Sequence, residues 1–183
     1  MLHLDIISNK LLNIKLIAPV IPGLFFYIKM YIYQNFTIMY ETVLFIHSYW
    51  AYLVLLLLIV ASVNSLVGYF TNKEYGAMNF RIALFTLIVS HIQLLIGLVL
   101  YFVAPYFRMF GEVGMGGVMK DSILRLYLVE HPLVMIIAVA LITIGYSKHK
   151  AKLTSKPKFK LLGIFYTLAL ILMLSRIPWN NWF

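Results

Sequence analysis

Four long apolar runs order this chain. Thr42 to Phe70 follows Glu41 and gives way to Thr71-Asn72-Lys73-Glu74. Phe80 to Val103 ends at Ala104-Pro105, Ile123 to Tyr146 gives way to a lysine-rich stretch, and Leu161 to Ile177 ends at Pro178-Trp179. None of the runs alternates apolar and polar residues as a half-buried strand does. At a rise of about 1.5 Å per residue, each approaches or exceeds the length that crosses about 30 Å of hydrocarbon. Lipid offers no hydrogen bonds to bare backbone, so a spanning segment is a helix or part of a closed barrel. The pattern therefore predicts an all-α, antiparallel four-helix transmembrane bundle, with helices at 42–70, 80–103, 123–146 and 161–177. Short connections place successive helices side by side.

Residues 1–38 read differently from 39–183 and form an N-terminal extension to the transmembrane domain. Their apolar run, Leu16 to Ile28, is short for a span and contains Pro19 and Pro22, which disfavour a helix interior. It is a poor signal peptide, with a weak basic start and no Ala-x-Ala site. The stretch is also enriched in Ile, Lys, Asn, Tyr and Phe. Two expectations follow: translation beginning at Met39 (or Met30), or an interfacial helix with Lys10, Lys15 and Lys29 among the lipid headgroups.

Composition turns the helical pattern into a membrane assignment. The chain is 63% hydrophobic and 11% charged, with a mean hydropathy of +0.92, whereas soluble domains run about 45–50% apolar and about 25% charged. The net charge of +9 does not point to nucleic acid, because six lysines are gathered between Ser147 and Lys160. By the positive-inside rule that loop is cytoplasmic, the Thr71–Asn79 turn lies on the same side, and the C-terminus is periplasmic in a bacterial inner membrane. The Pro105–Ser122 connection carries Gly111, Gly114, Gly116 and Gly117 and reads as a mobile loop; it lacks the strand and the Gly-Lys-Ser/Thr ending of a phosphate loop. No fixed-period repeat is present, and the halves do not match as inverted repeats would. Ala61, Ser65 and Gly68 on the first run, and Ala83, Thr86, Ser90 and Gly97 on the second, are small residues that let helix backbones approach. Trp50, Tyr52, Trp179 and Trp182 suit an interfacial belt.

The candidate chemistry lies in histidine. There is no cysteine, which excludes disulfides, thiolate zinc, iron–sulfur clusters and covalently attached haem. His47, His91 and His131 sit on three different runs, and His91 lies in Ser90-His91-Ile92-Gln93, where polar groups are costly. Two imidazoles from facing helices hold a b-type haem on opposite sides of its iron. Three candidates allow one such haem with one histidine left over; His3 and the loop residue His149 are poor fourth ligands. A three-histidine zinc or copper centre is another option. Each histidine can instead bond across helices to Ser90, Gln93, Asn64, Ser65 or Thr143 and serve packing alone. Glu130 could handle protons or lie in interfacial water, and its i+5 spacing from Arg125 suggests a loose pairing. Arg125 and Arg176 could hold haem propionates, quinol or lipid phosphate, or snorkel to headgroups.

Met39 to Phe183 resembles small four-helix membrane proteins of Bacteroidetes described as cytochrome b-like. The matching stretches are His47-Ser48, Ser90-His91-Ile92-Gln93-Leu94-Leu95-Ile96-Gly97 with Tyr101-Phe102, Met119-Lys120-Asp121-Ser122 through Glu130-His131, Leu141-Ile142-Thr143-Ile144-Gly145, and Ile177-Pro178-Trp179. Proteins of that kind often carry Arg where Ala51 stands here. The resemblance implies haem b on two of His47, His91 and His131, and electron transfer in the inner membrane. Its implied partners are the lipid bilayer and a quinone or respiratory-complex subunits. It implies an electron-transfer or accessory protein more than a stand-alone enzyme. The alternatives are a non-catalytic subunit for helix packing or complex assembly, and a small transporter or proton-conducting unit.

Overall fold

The computed structural model describes residues 20–181. Its helices are α1 (Val20–Phe70), α2 (Ala77–Val103), α3 (Pro105–Lys120), α4 (Ser122–Arg125), α5 (His131–Lys150) and α6 (Ser155–Ser175). A π-helical turn, Leu126–Glu130, joins α4 to α5, and a 3-10 turn, Trp179–Asn181, closes the described chain. Four stretches are long and apolar enough to cross a membrane: Gly23–Phe70, Ala77–Val103, Ser122–Lys150 and Ser155–Ser175. No strand occurs among the described residues. The fold is the predicted all-α bundle of four apolar helices.

The chain divides into two units, Met1–Glu41 and Thr42–Phe183. In the first, the backbone is helical from Val20 onward, through Pro22 near the start of the described helix. Leu24, Phe25, Phe26, Tyr27 and Ile28 are all exposed; five consecutive residues exceed one helical turn, so apolar side chains face every direction there. Lys10, Lys15, Pro19 and His3 lie outside the described residues, as does Trp182.

The second unit is packed through small residues. Ala61, Ser65 and Gly68 on α1 are buried, as are Ala83, Thr86 and Ser90 on α2. With no water to drive apolar faces together, close backbone approach and cross-helix hydrogen bonds hold such a bundle. Thr86 Oγ1 donates to Leu57 O (3.2 Å) and Tyr166 Oη to Ala83 O (2.9 Å), tying α2 to α1 and α6. Trp50 is half-buried and donates its indole N–H to Val89 O at 3.0 Å, a further tie between α1 and α2.

Helix ends depart from expectation for local reasons. α1 stops in a Schellman-type turn in which Asn72 takes the left-handed conformation (φ 53°) and Lys73 N donates to Gly68 O. The lysine-rich segment is mostly helix: α5 runs to Lys150 and α6 begins at Ser155, so only four residues connect them. The connection after Pro105 is not a mobile loop. Pro105 opens α3, and the helix continues through the glycines with one break at Gly114, whose φ of 64° and ψ of 172° suit glycine. Asp121 then caps α4, its Oδ1 accepting from Ile123 N and Leu124 N at 2.8 and 3.0 Å. Tyr75 N donates to Ser155 Oγ at 3.0 Å, which puts the α1–α2 and α5–α6 connections at one end of the bundle, as an antiparallel arrangement requires.

Candidate functional site

At the opposite end, three helices bring His47, Gln93 and His131 together. The His47 and His131 rings lie 6.3 Å apart between centroids, with planes at 71°. Gln93 Nε2 donates to His47 O at 2.9 Å and lies 3.3 and 3.4 Å from the two nitrogens of the same ring. The carbonyl can only accept, which fixes the amide with its nitrogen toward α1. Gln93 Oε1 is then buried with no partner among the described residues. Gly97 lies one turn further along α2, and a Cβ there would sit 3.0 Å from His47 Cε1; the missing side chain makes room for the ring. His131 Nδ1 is 2.8 Å from Arg176 O. A carbonyl partner requires the proton on Nδ1, so Nε2 keeps its lone pair.

Pro132 sets the register of this end. A proline inside a helix has no N–H for the carbonyl four residues back, and its ring crowds that carbonyl. Here the carbonyl is that of Leu128, and Tyr101 Oη on α2 donates to it at 3.1 Å. The backbone yields by taking i+5 bonds just before the proline, with His131 N donating to Leu126 O. In that turn residues five apart face the same way. Arg125 and Glu130, expected to pair loosely, therefore form a 2.8 Å ion pair from Nε to Oε1. Arg176 reaches the other carboxylate oxygen, Nε to Oε2 at 3.3 Å. Arg125 Nη1 also donates to Met119 O and Arg176 Nη1 to Ser175 O, each at 2.9 Å. Glu130 thus clamps the two arginines together at the rim of the histidine pair. Tyr106 and Tyr127 stack at 4.6 Å and bring α3 against the same turn.

His91 does not share this arrangement. It is exposed, with Nδ1 on Leu87 O at 2.8 Å and Nε2 3.4 Å from Thr143 Oγ1. Among the described residues no group of three or more His, Asp or Glu converges as a metal site. His149 is not a loop residue. It occupies the last turn of α5, 1% exposed, within 5.0 to 6.2 Å of the Tyr146, Tyr75 and Phe80 rings. Burial, with Tyr146 adding to it, pushes the phenol of Tyr75 above its ordinary range.

Tyr101 and Pro132 are the site residues that motif reading passes over, whereas Gln93, expected among the cross-helix partners of the histidines, is the partner of His47. Helical phase carries the signal that pairs them. Asn79, Ala83, Thr86, Ser90, Gln93 and Gly97 are spaced four, three, four, three and four residues apart, one stripe of a packed helix. His47, Trp50, Val54, Leu58, Ala61, Ser65 and Gly68 make such a stripe on α1, and His131, Met135, Ala138, Ile142, Gly145 and His149 on α5. His91 falls off its stripe. No protein-family model matches the chain, no curated protein matches it, and no solved structure matches it.

Proposed function

We propose that the protein is a b-type cytochrome-like protein of the bacterial inner membrane, holding one haem b between His47 and His131 and passing electrons to or from a quinone or a respiratory subunit. The observation that carries the reading is the His47–His131 pair. The two rings come from α1 and α5 and stand 6.3 Å apart between centroids, and each would offer an imidazole nitrogen to a haem iron. The donor chemistry also suits the group. Arg176 O holds the His131 proton on Nδ1, which orients the ring and leaves Nε2 as the ligating nitrogen. Gln93 fixes His47 from α2, and Gly97 leaves that ring its space. Haem, when bound, supplies one-electron redox chemistry that no side chain here provides. Arg125 and Arg176 each carry five N–H donors, and those not engaged by Glu130 and the backbone carbonyls are available to propionates. Their place at the rim of the histidine pair supports the reading. By the positive-inside rule, the lysines at the other end support a cytoplasmic α5–α6 connection and a periplasmic site.

The test is the spectrum. The full chain, expressed with haem supplied and purified in detergent, should show Soret and α bands that sharpen on reduction. His47→Ala and His131→Ala should each abolish them, and His91→Ala should leave them. A protein without bands, or one that loses them only on replacement of His91, refutes the assignment.

A second reading is supported by the same bonds. Gln93 ties α2 to α1 at His47 O, and His131 ties α5 to Arg176 O at the end of α6, using only groups of the chain, and polar contacts of this kind hold membrane helices together. A non-catalytic subunit would therefore keep its fold without haem. The transporter reading has less support, because Glu130 has both carboxylate oxygens engaged by arginines.

A further inference from the structure

A second feature lies at the lysine-bearing end of the bundle, away from the histidines. α1 and α6 cross there closely enough that a Cβ on Gly68 would stand 2.5 Å from the Phe159 ring, and one on Gly163 3.3 Å from Leu66 Cδ2. Around this crossing lies an open groove of about 370 Å³, whose lining includes Leu66, Tyr69, Phe70, Lys160, Ile164 and Leu168 together with the crossing residues Phe159 and Gly163. The Lys156 ammonium lies over the Tyr69 ring at 5.4 Å from its centroid. From Lys160 to Thr167 the groove extends about 10 Å along α6. Its walls are apolar and its mouth is cationic. Between Thr71 and Gly76, and between Lys148 and Lys160, the chain carries seven lysines against one acid, Glu74.

We infer that this groove is a binding site for an anionic phospholipid, with one acyl chain along Leu66, Ile164 and Leu168 and the phosphate at Lys156 and Lys160. The groove opens sideways to the bilayer, so its occupant arrives from the membrane plane. An apolar channel with ammonium groups only at its headgroup end matches a lipid of negative charge. The site does not depend on haem and would exist in a packing subunit as well.

The full chain is reconstituted in nanodiscs of equal parts phosphatidylglycerol and phosphatidylcholine, and co-purifying lipid is read by native mass spectrometry. Phosphatidylglycerol should be retained preferentially. A lysine near the membrane surface contributes about fivefold to such a preference. Replacing both Lys156 and Lys160 with alanine should therefore lower it about 25-fold, while Lys148→Ala/Lys150→Ala at the same end should leave it. Ile164→Trp fills the groove from an exposed position and should reduce retention of both lipids; unfolding curves of each variant confirm that the bundle is intact. Soluble glycerol phosphate should not compete, since it has no chain for the groove. Equal loss from the two lysine pairs would reduce the effect to a diffuse basic surface and overturn the proposal. Unchanged lipid retention in Ile164→Trp with an altered oligomeric state would make the groove a helix seat, which overturns it equally.

Discussion

A close helix crossing whose obstructing atom cannot swing away gives the sharpest stability prediction. A Cβ on Gly145 of α5 would lie 2.5 Å from Phe165 Cβ of α6. Carbon atoms in contact prefer about 3.5–4.0 Å, so Gly145→Ala must part the helices by about 1 Å at that crossing. The obstructing atom is bonded to the α6 backbone and cannot swing away as a ring tip can. Around it, Ile142, Leu162, Tyr166 and Ala169 are all at most 1% exposed, and a gap of that size forfeits about a quarter to a half of each contact across it. Such overpacking costs about 1–3 kcal/mol. Alanine returns up to about 1 kcal/mol through its better helix propensity. The net expectation is a loss of about 1–2 kcal/mol. Unfolding in mixed micelles titrated with SDS and followed by circular dichroism measures it directly. Gly116→Ala is the internal control, since nothing lies within 4 Å of a Cβ there, and it should be neutral or slightly stabilising. If Gly145→Ala proved as stable as the parent, or Gly116→Ala lost as much, the α5–α6 crossing would not be as close as described.

Tyr101→Phe removes the donor to Leu128 O and should cost about 0.6 kcal/mol, at most about 1.7, the range for cross-helix bonds in membranes; the same titration checks it, and no loss would mean that the freed carbonyl is satisfied otherwise. Glu130→Gln dissolves two half-exposed ion pairs and should cost about 1 kcal/mol at low salt, shrinking toward zero at about 1 M salt; a salt-independent loss would contradict an electrostatic clamp. Gly97→Val pushes into the His47 ring, which a single Cβ already meets at 3.0 Å; it should cost about 1–3 kcal/mol and, in a haem-loaded protein, bleach or shift the Soret band. A band unmoved by that substitution would separate His47 from the haem.

The architecture was legible because lipid makes the rules strict. Spanning segments must be long, apolar and helical, so Thr42–Phe70, Phe80–Val103, Ile123–Tyr146 and Leu161–Ile177 could be read from run length and polarity alone. The errors fall where those rules relax. Between Pro105 and Lys120 four glycines in seven residues suggest a loop, but Pro105 is favourable at a helix start and only Gly114 leaves helical geometry. The lysines from Lys148 onward look like a loop by charge, yet lysine is a good helix former, and Lys150 and Lys158 lie against the Tyr146 and Tyr75 rings at 4.9 and 5.3 Å. Charge marked the turn between the two helices and misplaced their ends.

The site was half legible, and helical phase explains which half. Ser90-His91-Ile92-Gln93 invites attention to its histidine, but residues two apart on a helix point about 200° away from each other. His91 and Gln93 therefore cannot serve one centre, and the stripe of small residues decides between them. Gly97, Gln93 and Ser90 continue that stripe, so Gln93 turns toward α1 and His91 away from it. On α1 the stripe through Ala61 and Ser65 leads back to His47, and on α5 the one through Gly145 and Ala138 leads back to His131. The three polar residues that meet are those in phase with the packing positions, and the one that does not meet is out of phase. What phase alone could not supply is the clamp. An unbroken α-helix would turn Arg125 and Glu130 well apart. It is Pro132, by forcing the π turn before it, that sets them face to face and lets Glu130 gather Arg176 from α6 above the same histidine.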